Sequence, residues 1–329
     1  MKSLTVEKSG SGVWPYVQIA RIDHWFKNVF MFLGVIVALF AEPGLFSSSI
    51  IPSIMMGLLA TCLIASSNYS LNELLDGPRD RLHPEKRHRP VPNGLVRPGL
   101  VYVQWAGLAA VGMWLALRVN VPFAATAASF WFMGLVYNVP PIRTKEWPYL
   151  DVLSESINNP IRLCLGWFIL IDGKVPPLSL VLAYWMIGAF FMAVKRYAEY
   201  RHIGDHTTAA AYRSSFAYYT EKRLLLSLFF YAAAATLFGG VFIVRYHVEL
   251  ILLVPLAAGM VTYYLEIGLR PNSPVQHPER LYREGRFMTY LVLCLGTFVL
   301  LMFTHIPALH DWFGVDAQVP KLWSIGSNR

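Results

Sequence analysis

The chain has 329 residues, 55% of them hydrophobic and only 15% charged, with a mean hydropathy of +0.44. A soluble fold of this size would carry about a quarter charged residues, so the composition points away from one and towards a membrane. The formal net charge of +8 is accounted for by topology and by contact with anionic lipid heads, without invoking a nucleic acid.

Residues 1–23 read as a cytoplasmic segment with no signal-peptide pattern. Within it Val13–Ile22, which carries Trp14, Tyr16 and Arg21, suits an amphipathic helix lying in the interface. Residues 24–305 read as a single membrane-spanning catalytic domain. Its apolar residues gather into about nine stretches long enough to cross a bilayer core as helix. They run near Trp25–Ala41, Ile51–Leu75, Gly99–Leu117, Pro122–Tyr137, Val152–Ile171, Leu178–Val194, Leu224–Val244, Leu250–Leu269 and Phe287–Thr304. In lipid the backbone must satisfy its own hydrogen bonds, so the expected fold class is an all-α polytopic bundle.

Lys and Arg concentrate at Arg21/Lys27, Arg79–Arg97, Arg143/Lys145, Lys195–Arg223 and Arg270–Arg286. By the positive-inside rule the N-terminus and these loops are cytoplasmic, and the tail 306–329, with Trp312, Phe313 and Trp323, is extracytoplasmic. Cys62, Cys164 and Cys294 all fall inside the expected spans without paired spacing and read as small apolar residues.

Three polar clusters lie at helix ends on the expected cytoplasmic side. In the first, Asn68, Asn72, Asp76 and Asp80 are four residues apart and share one helical face, with Glu73 beside them. Gly77-Pro78 is expected to loosen the last turn, leaving Asp80 in the loop. Acids this close repel unless a cation holds them, and hard oxygen donors suit Mg²⁺ bridging to substrate phosphates. Lys86, Arg87 and Arg89 follow in a proline-stiffened loop with His83, Pro84, Pro90 and Pro92, a cation cluster suited to a diphosphate.

The second cluster opens the fifth span. Asp151 and Glu155 share a face that continues through Asn158, Asn159 and Arg162, with Tyr137 and Lys145 just before. Helix capping would account for Asp151 alone but not for the deeper groups. The third is Lys195-Arg196-Tyr197-Ala198-Glu199, where Lys195 and Glu199 have the spacing of a simple ion pair. Farther on, Tyr218 and Tyr219 read as interfacial anchors. No Ser-His-Asp or Cys-His arrangement and no Walker-type glycine loop occurs, which weakens hydrolase and ATPase readings. The clusters suggest a polar mouth for a diphosphate donor, water-soluble or lipid, above an apolar chamber for a polyprenyl lipid, with membrane lipids around it. Charge on the departing diphosphate would be met by metal and Lys/Arg.

At these residues the chain resembles the UbiA superfamily of intramembrane prenyltransferases. Asn72-Glu73-x-x-Asp76-x-x-x-Asp80 matches that family's Asn-Asp-x-x-Asp-x-x-x-Asp signature, with Glu for the first Asp. The resemblance covers roughly residues 20–305 and implies nine helices, an active site open to the cytoplasm and a Mg²⁺–diphosphate site at Asn72, Glu73, Asp76 and Asp80. Aromatic prenyltransferases of the superfamily carry a second Asp-x-x-x-Asp motif where this chain has Lys195-Arg196-Tyr197-Ala198-Glu199. That segment is similar to the branch that transfers phosphoribose from phosphoribosyl diphosphate to decaprenyl phosphate. So are the His83–Pro90 loop and the Arg21, Trp25, Lys27, Asn28 opening. More cations and fewer acids suit a donor with an extra 5-phosphate, and an ionised lipid phosphate needs no general base. Prenyl transfer to an aromatic or other acceptor is the alternative. A transporter or lipid-binding scaffold is the reading from another class, although transporter sites sit nearer the midplane.

Overall fold

The computed structural model describes residues 12–81, 86–276, 278–315 and 322–325; His83 and Pro84 of the basic loop lie outside them, as do parts of both termini. The described chain is helical. In order it forms α1 (Trp14–Ile19), α2 (Phe32–Ala41), α3 (Ile50–Asp80), α4 (Pro98–Val119), α5 (Val121–Asn138), α6 (Leu150–Ser156) and α7 (Asn158–Phe168). There follow α8 (Leu178–Ile203), α9 (His206–Tyr212), α10 (Glu221–Tyr246), α11 (Val254–Leu269), α12 (Gly285–Met302) and α13 (Pro307–Phe313).

Among the described residues, seven helical segments are long and apolar enough to cross a membrane, the first running Trp14–Ala41 and the last Gly285–Met302. The chain is an integral membrane protein. Two expected stretches fall outside the seven. Small and polar residues dilute α5, and Val152–Ile171 is two helices, α6 and α7, that meet at Ile157. Pro160 explains the break, because it offers no N–H to the Ser156 carbonyl.

Packing divides the chain into two compact units. The first comprises the described part of Met1–Phe30 together with Ser49–Arg143. Its spine is α3, whose 31 residues span about 46 Å, against about 30 Å of hydrocarbon. In lipid, helices associate through close packing rather than a hydrophobic driving force. Gly112 of α4 accordingly lies against Ala60 and Ile64 of α3, where a Cβ would come 3.2 Å from the Ala60 carbonyl oxygen. Gly134 of α5 lets Asn68 approach, and Asn68 Nδ2 donates to the Phe130 carbonyl at 3.1 Å. Ile19, Val96 and Val101 cluster with Leu74 and Val91, pinning the basic loop to the end of α3. Contrary to expectation, α3 stays helical through Asp80. Pro78 forfeits only the bond to the Leu74 carbonyl, and Gly77 makes room for Val91.

The second unit comprises Met31–Ser48 and the described part of Thr144–Arg329. Its helices α2 and α7 cross at two glycines: Gly34 faces the Leu163 carbonyl and Gly166 faces the Met31 carbonyl, with no space for a Cβ at either. Helices α8, α10 and α11 enclose a core that includes Ala189, Ala193, Val194, Leu228, Tyr231 and Ile267. The opposite face of α10 leaves Phe229 77% and Leu237 66% exposed, a surface for acyl chains rather than water.

Candidate active site

In the first unit, the last turns of α3 carry Asn72, Glu73 and Asp76 as the sequence predicts, and Asp80 as well. Arg143 Nη2 donates to Asp76 Oδ1 at 2.8 Å, and Arg89 Nη1 donates to Asp80 Oδ2 at 2.8 Å. Asn72 Nδ2 reaches Asp76 Oδ2 at 3.3 Å and also contacts Asn138 Oδ1. Glu73 is buried, and its Oε1 has no hydrogen-bond partner among the described residues. A buried carboxyl oxygen without a partner is costly. With four oxygen-bearing side chains on two turns of one helix, the donor set fits a hard cation such as Mg²⁺.

Beside Glu73 opens a cavity of about 530 Å³, lined in part by Arg21, Asp23, His88 and Arg89. Lys86 and Arg87 stand in the short turn before Arg89, with Arg87 exposed. Lys27 is half-buried on the 3-10 stretch Ile22–Met31, which is anchored by Trp25 Nε1 on Ser66 Oγ at 2.9 Å and Asn28 Nδ2 on Cys62 Sγ at 3.2 Å. Tyr137 is half-buried in the last turn of α5.

In the second unit the acids gather around one guanidinium. Arg196 is 1% exposed and donates to Asp151 Oδ2 at 3.2 Å, Glu155 Oε2 at 2.7 Å and Glu199 Oε2 at 3.0 Å. Asp151 is fully buried and also accepts from Tyr219 Oη at 2.7 Å and Ser215 Oγ at 3.0 Å, with Arg213 Nη1 3.7 Å away. These bonds go well beyond capping of α6. Burial, with the Asp151 carboxylate second, raises the Tyr219 phenol far above its ordinary range, so it stays protonated and donates. Its oxygen in turn accepts the Tyr149 N–H at 2.6 Å.

The simple pair that the spacing of Lys195 and Glu199 allows is not formed, because Glu199 turns to Arg196 one residue nearer. Among the described residues Lys195 makes no ion pair, which leaves it the available cation of its segment. Lys145 is buried in the turn before α6, and Arg162 is buried on α7, donating to the Asn158 carbonyl at 3.3 Å.

The structure thus gathers Lys27, Asn72, Glu73, Asp76, Asp80, Lys86, Arg87, Arg89 and Tyr137 in the first unit. It places Lys145, Asp151, Glu155, Arg162, Lys195, Arg196 and Glu199 in the second. Sequence reasoning missed Arg143 and Asn138, which hold Asp76 and Asn72, and misread Tyr219. That tyrosine is fully buried against Asp151, whereas Tyr218 is 44% exposed as an anchor would be. The usable signal was Asp151 itself, a buried acid that needs several donors.

Comparison with known proteins follows the same lines. The decaprenyl-phosphate phosphoribosyltransferase of Mycolicibacterium smegmatis is 28% identical over 214 residues, 63% of each chain. That of Corynebacterium glutamicum is 27% identical over 210 residues, 62% of this chain and 59% of its own. This chain therefore spans less than two thirds of the length of these relatives. The solved structure of a UbiA homolog from Archaeoglobus fulgidus bound to GPP and Mg²⁺ shares the fold. Its TM-score is 0.63 at 19% identity, over 88% of this chain and 100% of that one. A family model for the UbiA prenyltransferase family matches residues 29–290, and the chain belongs to that family.

Proposed function

We propose that this protein is a Mg²⁺-dependent transferase that cleaves a diphosphate ester and joins the released group to a membrane lipid, with phosphoribosyl diphosphate as donor and polyprenyl (decaprenyl) phosphate as acceptor. It would act in a bacterial inner membrane with its N-terminus in the cytoplasm. The observation that carries the reading is the Lys195-Arg196 pair. A second acidic motif would put a carboxylate first here. Instead Arg196 is consumed in holding Asp151, Glu155 and Glu199, and Lys195 is left to meet a further phosphate. The relatives named as phosphoribosyltransferases support the same donor.

In this reading Asn72, Glu73, Asp76 and Asp80 would hold Mg²⁺, which supplies neutralising charge to the leaving diphosphate. Arg89, Lys86, Arg87 and Lys27 bind diphosphate oxygens. Arg196 is a positioning residue that fixes three carboxylates, and Tyr219 orients Asp151 by donating to it. Tyr137, Lys145 and Arg162 would likewise bind donor phosphate oxygens. The acceptor phosphate is already an anion, so no side chain need remove a proton from it.

The test is a transfer assay in detergent with Mg²⁺, offering ribose-labelled phosphoribosyl diphosphate with polyprenyl phosphate, and labelled polyprenyl diphosphate with aromatic acceptors. Ribose label is expected in the lipid phase, falling at least about 100-fold in Asp76→Asn. Movement of prenyl label alone would refute the donor assignment. Label transfer from neither donor would count against catalysis by this chain.

A further inference from the structure

Far from the acids around Arg196, a second group of ligating side chains closes the other end of the second unit. Glu249 lies in the 3-10 turn Val248–Leu253 after α10, His305 in the link between α12 and α13, and His310 on α13. Along α10, the 26 residues between this end and the Tyr219–Asp151 network span about 39 Å. The two sites are separate.

Glu249 is fully buried, although its neighbours are three imidazoles and one backbone amide. Its Oε1 accepts the Ile306 N–H at 3.0 Å and has His305 Nδ1 at 3.2 Å and His310 Nε2 at 3.0 Å. Its Oε2 has no hydrogen-bond partner among the described residues, even though His247 Nδ1 stands 3.1 Å away.

The imidazole tautomers sharpen the conflict. His247 Nε2 lies 2.6 Å from the Leu301 carbonyl oxygen, so it carries the proton. In the neutral ring Nδ1 then turns a lone pair on the Glu249 carboxylate. His310 repeats the pattern, with Nδ1 3.2 Å from the Val315 carbonyl and Nε2 towards Glu249. Lone pairs facing a buried carboxylate repel unless a proton or a metal ion lies between them.

Imidazole nitrogens combined with a carboxylate oxygen suit zinc and neighbouring first-row divalent ions, not Mg²⁺. The remote ring nitrogens of His247 and His310 rest on backbone carbonyls, the support that metal-bound histidines need to fix their tautomer. One ligand atom each from Glu249, His305 and His310 lie within 4.8 Å of one another, close enough to converge on a single ion. An entry path exists, since the His305 side chain is 59% exposed at a cavity of about 280 Å³ lined by Phe40, His247 and Glu249.

We propose that Glu249, His305 and His310, supported by His247, form a binding site for one zinc-class divalent ion that fastens α13 to the turn between α10 and α11. The ligands come from three separate segments, so the ion would act as a clasp on the C-terminal end of the chain.

The full chain, purified in detergent through a tag without histidines and stripped by chelating resin, would be titrated with Zn²⁺ against a chromophoric chelator. One equivalent is expected to bind, undisturbed by millimolar Mg²⁺, and to raise the thermal midpoint. His305→Ala/His310→Ala should weaken binding at least about 100-fold and abolish the thermal shift. His305→Ala alone, at an exposed side chain, reports on the site even if the double variant folds poorly, and should weaken binding measurably. Failure of the wild type to take up an equivalent would show that protons alone hold the cluster together. Equal uptake by His305→Ala and the wild type would show that the ion sits elsewhere. Either result overturns the assignment.

Discussion

Replacing Arg196 by methionine keeps much of the side-chain volume and removes the guanidinium that three carboxylates share. Breaking a buried ion network by deleting one partner typically costs roughly 3–5 kcal/mol. Here the lower edge applies. Glu155 and Glu199 keep 31% and 12% side-chain exposure and can recover water. Asp151, at 0%, retains its bonds from Tyr219 and Ser215. The expected loss is therefore about 3 kcal/mol. Neutralising Asp151 as well, in Arg196→Met/Asp151→Asn, should recover about 2 kcal/mol of the summed single losses through their coupling. The assay is unfolding in mixed micelles by titration with SDS, followed by circular dichroism. A loss below about 1 kcal/mol for Arg196→Met, or strict additivity in the double variant, would refute the view that Arg196 organises these acids.

Two further outcomes test other parts of the fold. Gly166→Ala should lower the thermal midpoint in detergent, costing about 2 kcal/mol or more by overpacking, because its Cβ would press on the Met31 carbonyl; an unchanged midpoint would mean that α2 and α7 do not cross so closely. Asp205 caps α9 by accepting from Thr208 N at 2.8 Å and from the Thr207 and Thr208 hydroxyls, which lower its carboxyl from 3.8 to about 2. A depressed carboxyl stabilises fully above its unfolded value and loses that contribution as the pH falls towards the folded one. Amide exchange in α9 at pH 6 should therefore be faster in Asp205→Ala than in the wild type, and the difference should shrink as pH falls from 3.8 towards about 2.

What the sequence disclosed and what it hid divide by range. Asn72, Asp76 and Asp80 were legible because a four-residue period is a local property of helix, and polar groups at the end of an apolar run are conspicuous. Asp151, Glu155 and Arg196 were legible as residue types, but their grouping was not. Arg196 and Tyr219 lie 45 and 68 residues from Asp151, and no local period encodes a contact between helices. Arg143 was visible only as a positive charge at a membrane boundary, since nothing in Arg-Thr-Lys indicates which of its cations would turn towards Asp76. The break at Ile157 could have been read from Pro160, whose missing donor matters more than the hydropathy that runs through it. Pro78 shows the converse: so near the end of α3, one lost bond did not end the helix before Asp80.

The length of α3 bears on how the first acidic cluster responds to its lipid surroundings. Its apolar part begins at Ile50, and its ionisable part occupies the final stretch from Glu73 to Asp80, about 12 Å of rise. Hydrophobic mismatch can be relieved by tilting, but the carboxylates of that stretch resist entering hydrocarbon. A thicker bilayer would therefore draw α3 upright, and a thinner one would let it lean. Across lipids of different chain length the acids would keep a nearly constant height above the hydrocarbon, with the angle of α3 taking up the difference.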